Sequence, residues 1–133
     1  MEEMMEKRVW QRVRGTEDRA GALRECLARQ GELLGMYRAL SRRGGRGRQL
    51  YEQKLNQIAC LRGLLRVLTG QSVAPPRSPE MAPDLLRCHE AEQGFLRQLK
   101  AWSREEDLGA VFDSLADRQK CQCRLVLEVI GTM

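Results

Sequence analysis

The chain has 133 residues, with 23 Lys and Arg against 18 Asp and Glu, a net charge of +5. That length suits one domain with a single real core. No stretch has the roughly 18 consecutive apolar residues a membrane span needs, and a moderate positive charge permits an acidic partner without requiring one.

Charged residues are plentiful, aromatics are few, and Leu and Arg dominate. Few stretches alternate apolar and polar residues, so the composition points to helices without a sheet. The N-terminal MEEMMEKRVWQRV lacks an apolar region and does not read as a signal peptide. The five cysteines are Cys26, Cys60, Cys88, Cys121 and Cys123. Their odd number, with no export signal, favours free thiols in a reducing cytoplasm. Cys121 and Cys123 diverge on a helix and make a poor metal pair.

In chain order, Glu2 to Val13 reads as a short amphipathic helix with Val9, Trp10 and Val13 on one face. Gly15 is expected to break it and Thr16 to cap the next helix. This divides the chain into an arm, residues 1–15, and a bundle, residues 16–133. The arm either packs on the bundle or serves a homodimer or another protein partner through Trp10. Helix A is expected from about Glu17 to Ser41, with Leu23, Leu27, Gln30, Leu34, Tyr37 and Leu40 facing inward. Gly21, Gly31 and Gly35 weaken it by about 1 kcal/mol each relative to alanine, unless neighbours pack closely there. SRRGGRGR, Ser41 to Arg48, reads as a connection between antiparallel helices. It lacks the interleaved aromatics that stack on bases, so nucleic acid is not an expected partner.

Helix B, Tyr51 to Gly70, has no proline and carries Leu50, Leu61, Leu64 and Leu68 on one stripe. Lys54 and Gln57 interrupt that stripe. Gln71 to Pro83 holds four prolines and cannot be a continuous helix. An irregular connection of this length fits a crossover along the length of a bundle. Helix C runs from an Asp84 cap to Trp102 or Ser103, with Leu85, His89, Glu92, Leu96 and Leu99 inward. REEDLGA is a turn. Helix D, Val111 to Ile130, carries Phe112, Leu115, Gln119, Gln122, Val126 and Val129 on one face. It repeats helix B: two polar residues three apart on an apolar stripe.

The inward polar positions are therefore Gln30, Lys54, Gln57, His89 with Glu92 as a further candidate, Gln119 and Gln122. Di-metal carboxylate bundles place a Glu on each of two helices and Glu-x-x-His on the other two. With GELLGMYRALSRR, QIACLRGLLRVLTGQ, VFDSLADRQKCQCRLVLEVIG and the long B–C connection, the chain resembles the rubrerythrin-like branch of the ferritin-like superfamily over about Ala20 to Gly131. The resemblance implies an up-down four-helix bundle with a long B–C crossover, a di-iron centre, and peroxide or iron-oxidation chemistry.

Position by position, it puts Gln30 at the first Glu ligand and His89 at the other. Lys54 with Gln57, and Gln119 with Gln122, fall on the two Glu-x-x-His pairs. A register shift would offer Glu32, Glu90 or Glu92 instead. Neutral carboxamides are poor ligands for divalent ions, and a lysine adds charge of the wrong sign. Lys54 can instead stand where a metal stood, paired with Glu92 or Glu32. The expected function is a non-catalytic structural or interaction protein with no cofactor. The alternatives are a rubrerythrin-like protein holding iron with substitute ligands such as His89 and Glu92, or a binder of a small polar ligand in the bundle core. No phosphate loop or dinucleotide fingerprint is present.

Overall fold

Four helices make up the regular structure of the described residues. The computed structural model describes the backbone of residues 2–105 and 108–132 and the side chains of residues 18–105 and 108–132. The helices are α1 (Glu2–Ser41), α2 (Gly45–Thr69), α3 (Leu85–Trp102) and α4 (Gly109–Gly131), and the described residues hold no strand.

The buried side chains form two apolar clusters. One joins Leu23 and Leu27 of α1 to Leu61 and Leu65 of α2, Leu99 of α3 and Phe112 of α4. The other joins Tyr37 and Leu40 to Leu50, Leu85 and Val126. The middle of α1 thus meets the late halves of α2 and α3 and the early half of α4, while its end meets the starts of α2 and α3 and the late half of α4. So α2 and α3 run the same way, antiparallel to α1 and α4. Two parallel helices in succession require a connection that travels the full bundle length. Residues 71–83 supply it.

The crossover lies along α1. Its backbone is fastened by Arg62 Nε donating to the Val73 carbonyl at 2.8 Å, Arg38 to the Ser78 carbonyl at 2.8 Å, and Met81 N–H to the Gly35 carbonyl at 3.4 Å. Arg42 pairs with Glu80 at 2.7 Å. Glycine makes the close approach possible. A Cβ at Gly31 would meet the Arg77 carbonyl oxygen at 2.5 Å, and one at Gly35 would overlap the Pro79 carbonyl oxygen outright. Gly21 has open space around it and has no such role.

Several boundaries differ from the sequence expectation. The helix is continuous from Glu2 to Ser41, with no break at Gly15. A lone glycine costs a helix about 1 kcal/mol but does not end it. The expected face of Val9, Trp10 and Val13, and any contact through Trp10, lie outside the described side chains. The connection between α1 and α2 is shorter than Ser41 to Arg48. It is closed by Gly44 and Gly45, whose φ angles of 75° and 58° favour glycine, and α2 is already helical at Gly47. On α2 the inward stripe continues through Ile58, Leu61 and Leu65, while Leu64 and Leu68 are half-buried. Asp84 caps α3 as expected, accepting from the Arg87 N–H at 3.1 Å.

Gly35→Ala should lower stability by about 2 kcal/mol, as overpacking does, because the crossover must lift from α1. Gly63→Ala, where an added Cβ meets nothing within 4 Å, should raise it by about 0.5–1 kcal/mol. Urea unfolding of the two variants checks both signs.

Candidate functional site: a buried polar layer

Between the two apolar clusters lie six fully or almost fully buried polar side chains: Gln30, Lys54, Gln57, Glu92, Gln119 and Gln122. Helical periodicity delivers them. Lys54 and Gln57 stand between Leu50 and Leu61 on the inward face of α2, and Gln119 and Gln122 between Leu115 and Val126 on that of α4. Burying so much polarity is tolerable only when each group finds a partner.

Lys54 is the centre of the network. Its ammonium donates to Gln30 Oε1 at 2.6 Å, Gln57 Oε1 at 2.6 Å and Glu92 Oε1 at 2.7 Å, on three different helices. All three of its protons are used. The Phe95 ring lies 5.2 Å from the same nitrogen, adding a cation–π contact. Glu92 Oε1 also accepts from Gln119 Nε2 at 3.1 Å, and Glu92 Oε2 accepts from the Tyr37 hydroxyl at 2.9 Å. Gln57 Nε2 donates to Gln119 Oε1 at 2.7 Å, which ties α2 to α4. Gln122 Nε2 reaches the Leu50 carbonyl at 3.2 Å, leaving Gln122 Oε1 without a partner.

The electrostatics follow from burial around one ion pair. Burial, reinforced by the Glu92 carboxylate, raises the Tyr37 hydroxyl well above its usual range. Burial, again with Glu92, pushes the Cys88 thiol up to about 12 and the Cys123 thiol to about 11. Burial also raises Cys26 to about 11, although Lys54 works against it. These three thiols stay protonated and inert at neutral pH. All five cysteines are free.

His89 does not belong to the layer. It is half-buried, and its Nδ1 has no partner. The inward face of α3 runs through Cys88, Glu92, Phe95 and Leu99, spaced four, three and four, and His89 lies about 100° round from Cys88. Glu92 takes the inward position on α3. Glu32 is exposed and pairs with Arg87 at 3.6 Å, so the Lys54 partner is Glu92 and not Glu32. Glu90 is exposed. Tyr37 was legible only as an apolar member of the α1 stripe. A buried tyrosine hydroxyl needs a partner, which was the available signal. Cys26 and Cys123 border the layer through contacts to Gln30 and Gln119 at 3.9 and 3.8 Å.

As a ligand set the layer does not suit a pair of divalent ions. It has one carboxylate, both of whose oxygens already accept hydrogen bonds, and an ammonium at its centre. Among the described residues, no group of three or more His, Cys, Asp or Glu side chains is placed to hold a metal ion. No family model matches this chain, and neither a curated protein nor a solved structure does.

Lys54→Met should cost about 3–5 kcal/mol, because it leaves Glu92 buried without its cation and two carboxamide oxygens without a donor. Adding Glu92→Gln should recover much of that loss. Chemical denaturation of the three variants measures the coupling.

The thiols give a second expectation. Below pH 9 they are protonated in folded and unfolded chains alike. Above the ordinary value of 9.0 they ionise in the unfolded chain but keep their protons in the folded one up to about 11 or 12. The unfolded state then binds fewer protons, so stability falls as pH rises from 9 towards 12. Unfolding free energies between pH 8 and pH 11 should show this fall, and Cys88→Ala should make it shallower.

Proposed function

We propose that the chain is a ferritin-like bundle that has exchanged its di-iron ligands for a fixed ammonium, and that it acts as a non-catalytic structural or interaction protein in the cytoplasm. The observation that carries the reading is the seat of Lys54 Nζ, held by Gln30 of α1, Gln57 of α2 and Glu92 of α3. A cation at that point does electrostatically what a metal would do for Glu92, without needing further carboxylates. The up–down–down–up course of the helices and the full-length crossover support the same reading.

The substitute-ligand iron protein has less support. His89 stands outside the layer, and Glu92 is committed to Lys54, Tyr37 and Gln119. A polar ligand inside the layer would have to break bonds to Lys54 whose partners are already optimal in number. Assembly through the N-terminal part of α1, as a homodimer or with another protein, belongs to the same proposal. No helix is long and apolar enough to cross a membrane among the described residues.

Elemental analysis after anaerobic, iron-supplemented expression, combined with light scattering, tests this. The expected result is no stoichiometric transition metal in a species larger than one chain. Stoichiometric iron that disappears in a Glu92→Gln or His89→Ala variant would overturn it. A strictly monomeric protein with no co-purifying partner would count against the interaction role.

A further inference from the structure

We propose that the cleft between α1 and α3 is a binding site for a small aromatic carboxylate. The cleft has a volume of about 390 Å³, within the range of small-molecule sites. Its floor is Gln30, Leu33 and Phe95, each at least nine-tenths buried. The mouth carries Arg29, which is exposed, and Gly94.

Three observations give the ligand its chemistry. The first is a donor without a good acceptor. Gln30 is 2 % exposed, and its Oε1 is taken by Lys54. Its Nε2, which carries two N–H groups, meets only the Cys26 sulfur at 3.9 Å. A thiol sulfur is a weak acceptor, so a ligand oxygen at the cleft floor would satisfy a buried N–H that the protein leaves nearly unused. The second is charge. Arg29 forms no ion pair among the described residues and lines the cleft together with Cys26. A carboxylate fits one oxygen to Gln30 and the other to Arg29. The third is the apolar remainder. Phe95 and Leu33 line the cleft with aromatic and aliphatic surface, which suits an aromatic body.

Gly94 keeps the cleft open. A Cβ there would meet only the far end of Arg97, at 3.8 Å. Larger side chains therefore fit without displacing backbone, and they would occupy the ligand's space. The site is also wired to the polar layer, since Gln30 and Phe95 both touch Lys54. It does not rest on the origin of that layer, and its test is independent of metal content.

The probe is phenylacetate, titrated into the full-length protein and followed by amide NMR, with phenylacetamide as the uncharged comparison. Phenylacetate should shift the resonances of Gly94, Phe95 and Gln30. Arg29→Gln should weaken it about tenfold, the loss of one modest charged contact. Gly94→Leu should abolish binding while the melting temperature stays near that of the wild type. Phenylacetamide should bind more weakly than phenylacetate and be insensitive to Arg29→Gln. Saturating phenylacetate without shifts in the cleft, or equal binding by Gly94→Leu, overturns the proposal. If Gly94→Leu does not fold, Arg29→Gln decides alone: unchanged affinity for phenylacetate overturns the site.

Discussion

The ion pair between Lys54 and Glu92, with neither side chain exposed, is the constraint on which the rest of the bundle depends. Two charges removed from water are expensive, and the attraction between them repays the cost only when every remaining proton and lone pair is also matched. That requirement recruits Gln30, Gln57, Gln119 and Tyr37, and so reaches all four helices. A purely apolar interior lets helices slide or rotate with small loss. A layer whose central ammonium and carboxylate have fixed partners on all four helices favours one register. The two apolar clusters on either side supply most of the burial, and the polar layer fixes how they are aligned.

The same register determines the connections. Short connections make α1 and α2, and likewise α3 and α4, antiparallel neighbours, which brings Gln30 level with Lys54 and Gln119 level with Glu92. Lys54 and Glu92 sit on the two parallel helices, so the chain must return along the bundle between them. Prolines keep residues 71–83 from becoming helix, and Gly31 and Gly35 let that segment lie directly on α1. Local backbone chemistry at the surface and charge pairing in the centre thus specify one topology, which is the consistency expected of a foldable sequence.

Much of this was legible in the residues. Five polar members of the layer, Gln30, Lys54, Gln57, Gln119 and Gln122, could be placed by periodicity because apolar neighbours flank each of them on its own stripe. The crossover was legible from four prolines within thirteen residues, and the pairing of Lys54 with a carboxylate from the cost of leaving it alone. The side of α3 was legible only in part: Leu85, Glu92, Leu96 and Leu99 are inward, but His89 is not. Glu92 lies inside its apolar arc and His89 at the edge, and Cys88, which sets the arc's centre, is weakly hydrophobic and gives a faint signal. On α2, Ile58, Leu61, Leu64, Leu65 and Leu68 offer two overlapping stripes, and only packing against α1 and α4 selects between them. Gly15 looked like a stop because glycine is a poor helix former. Propensity is a weak prior, and its cost there is small enough for a long helix to absorb.

The central claim is that a buried ammonium, fully hydrogen-bonded, holds the layer together. Proton-detected nitrogen NMR of the lysine side chains tests it most directly, through the exchange rate of the Lys54 Nζ protons with water. The account predicts one lysine ammonium signal protected from exchange, assigned to Lys54 by its loss in Lys54→Met. A Lys54 signal exchanging as fast as that of the exposed Lys120 would contradict it.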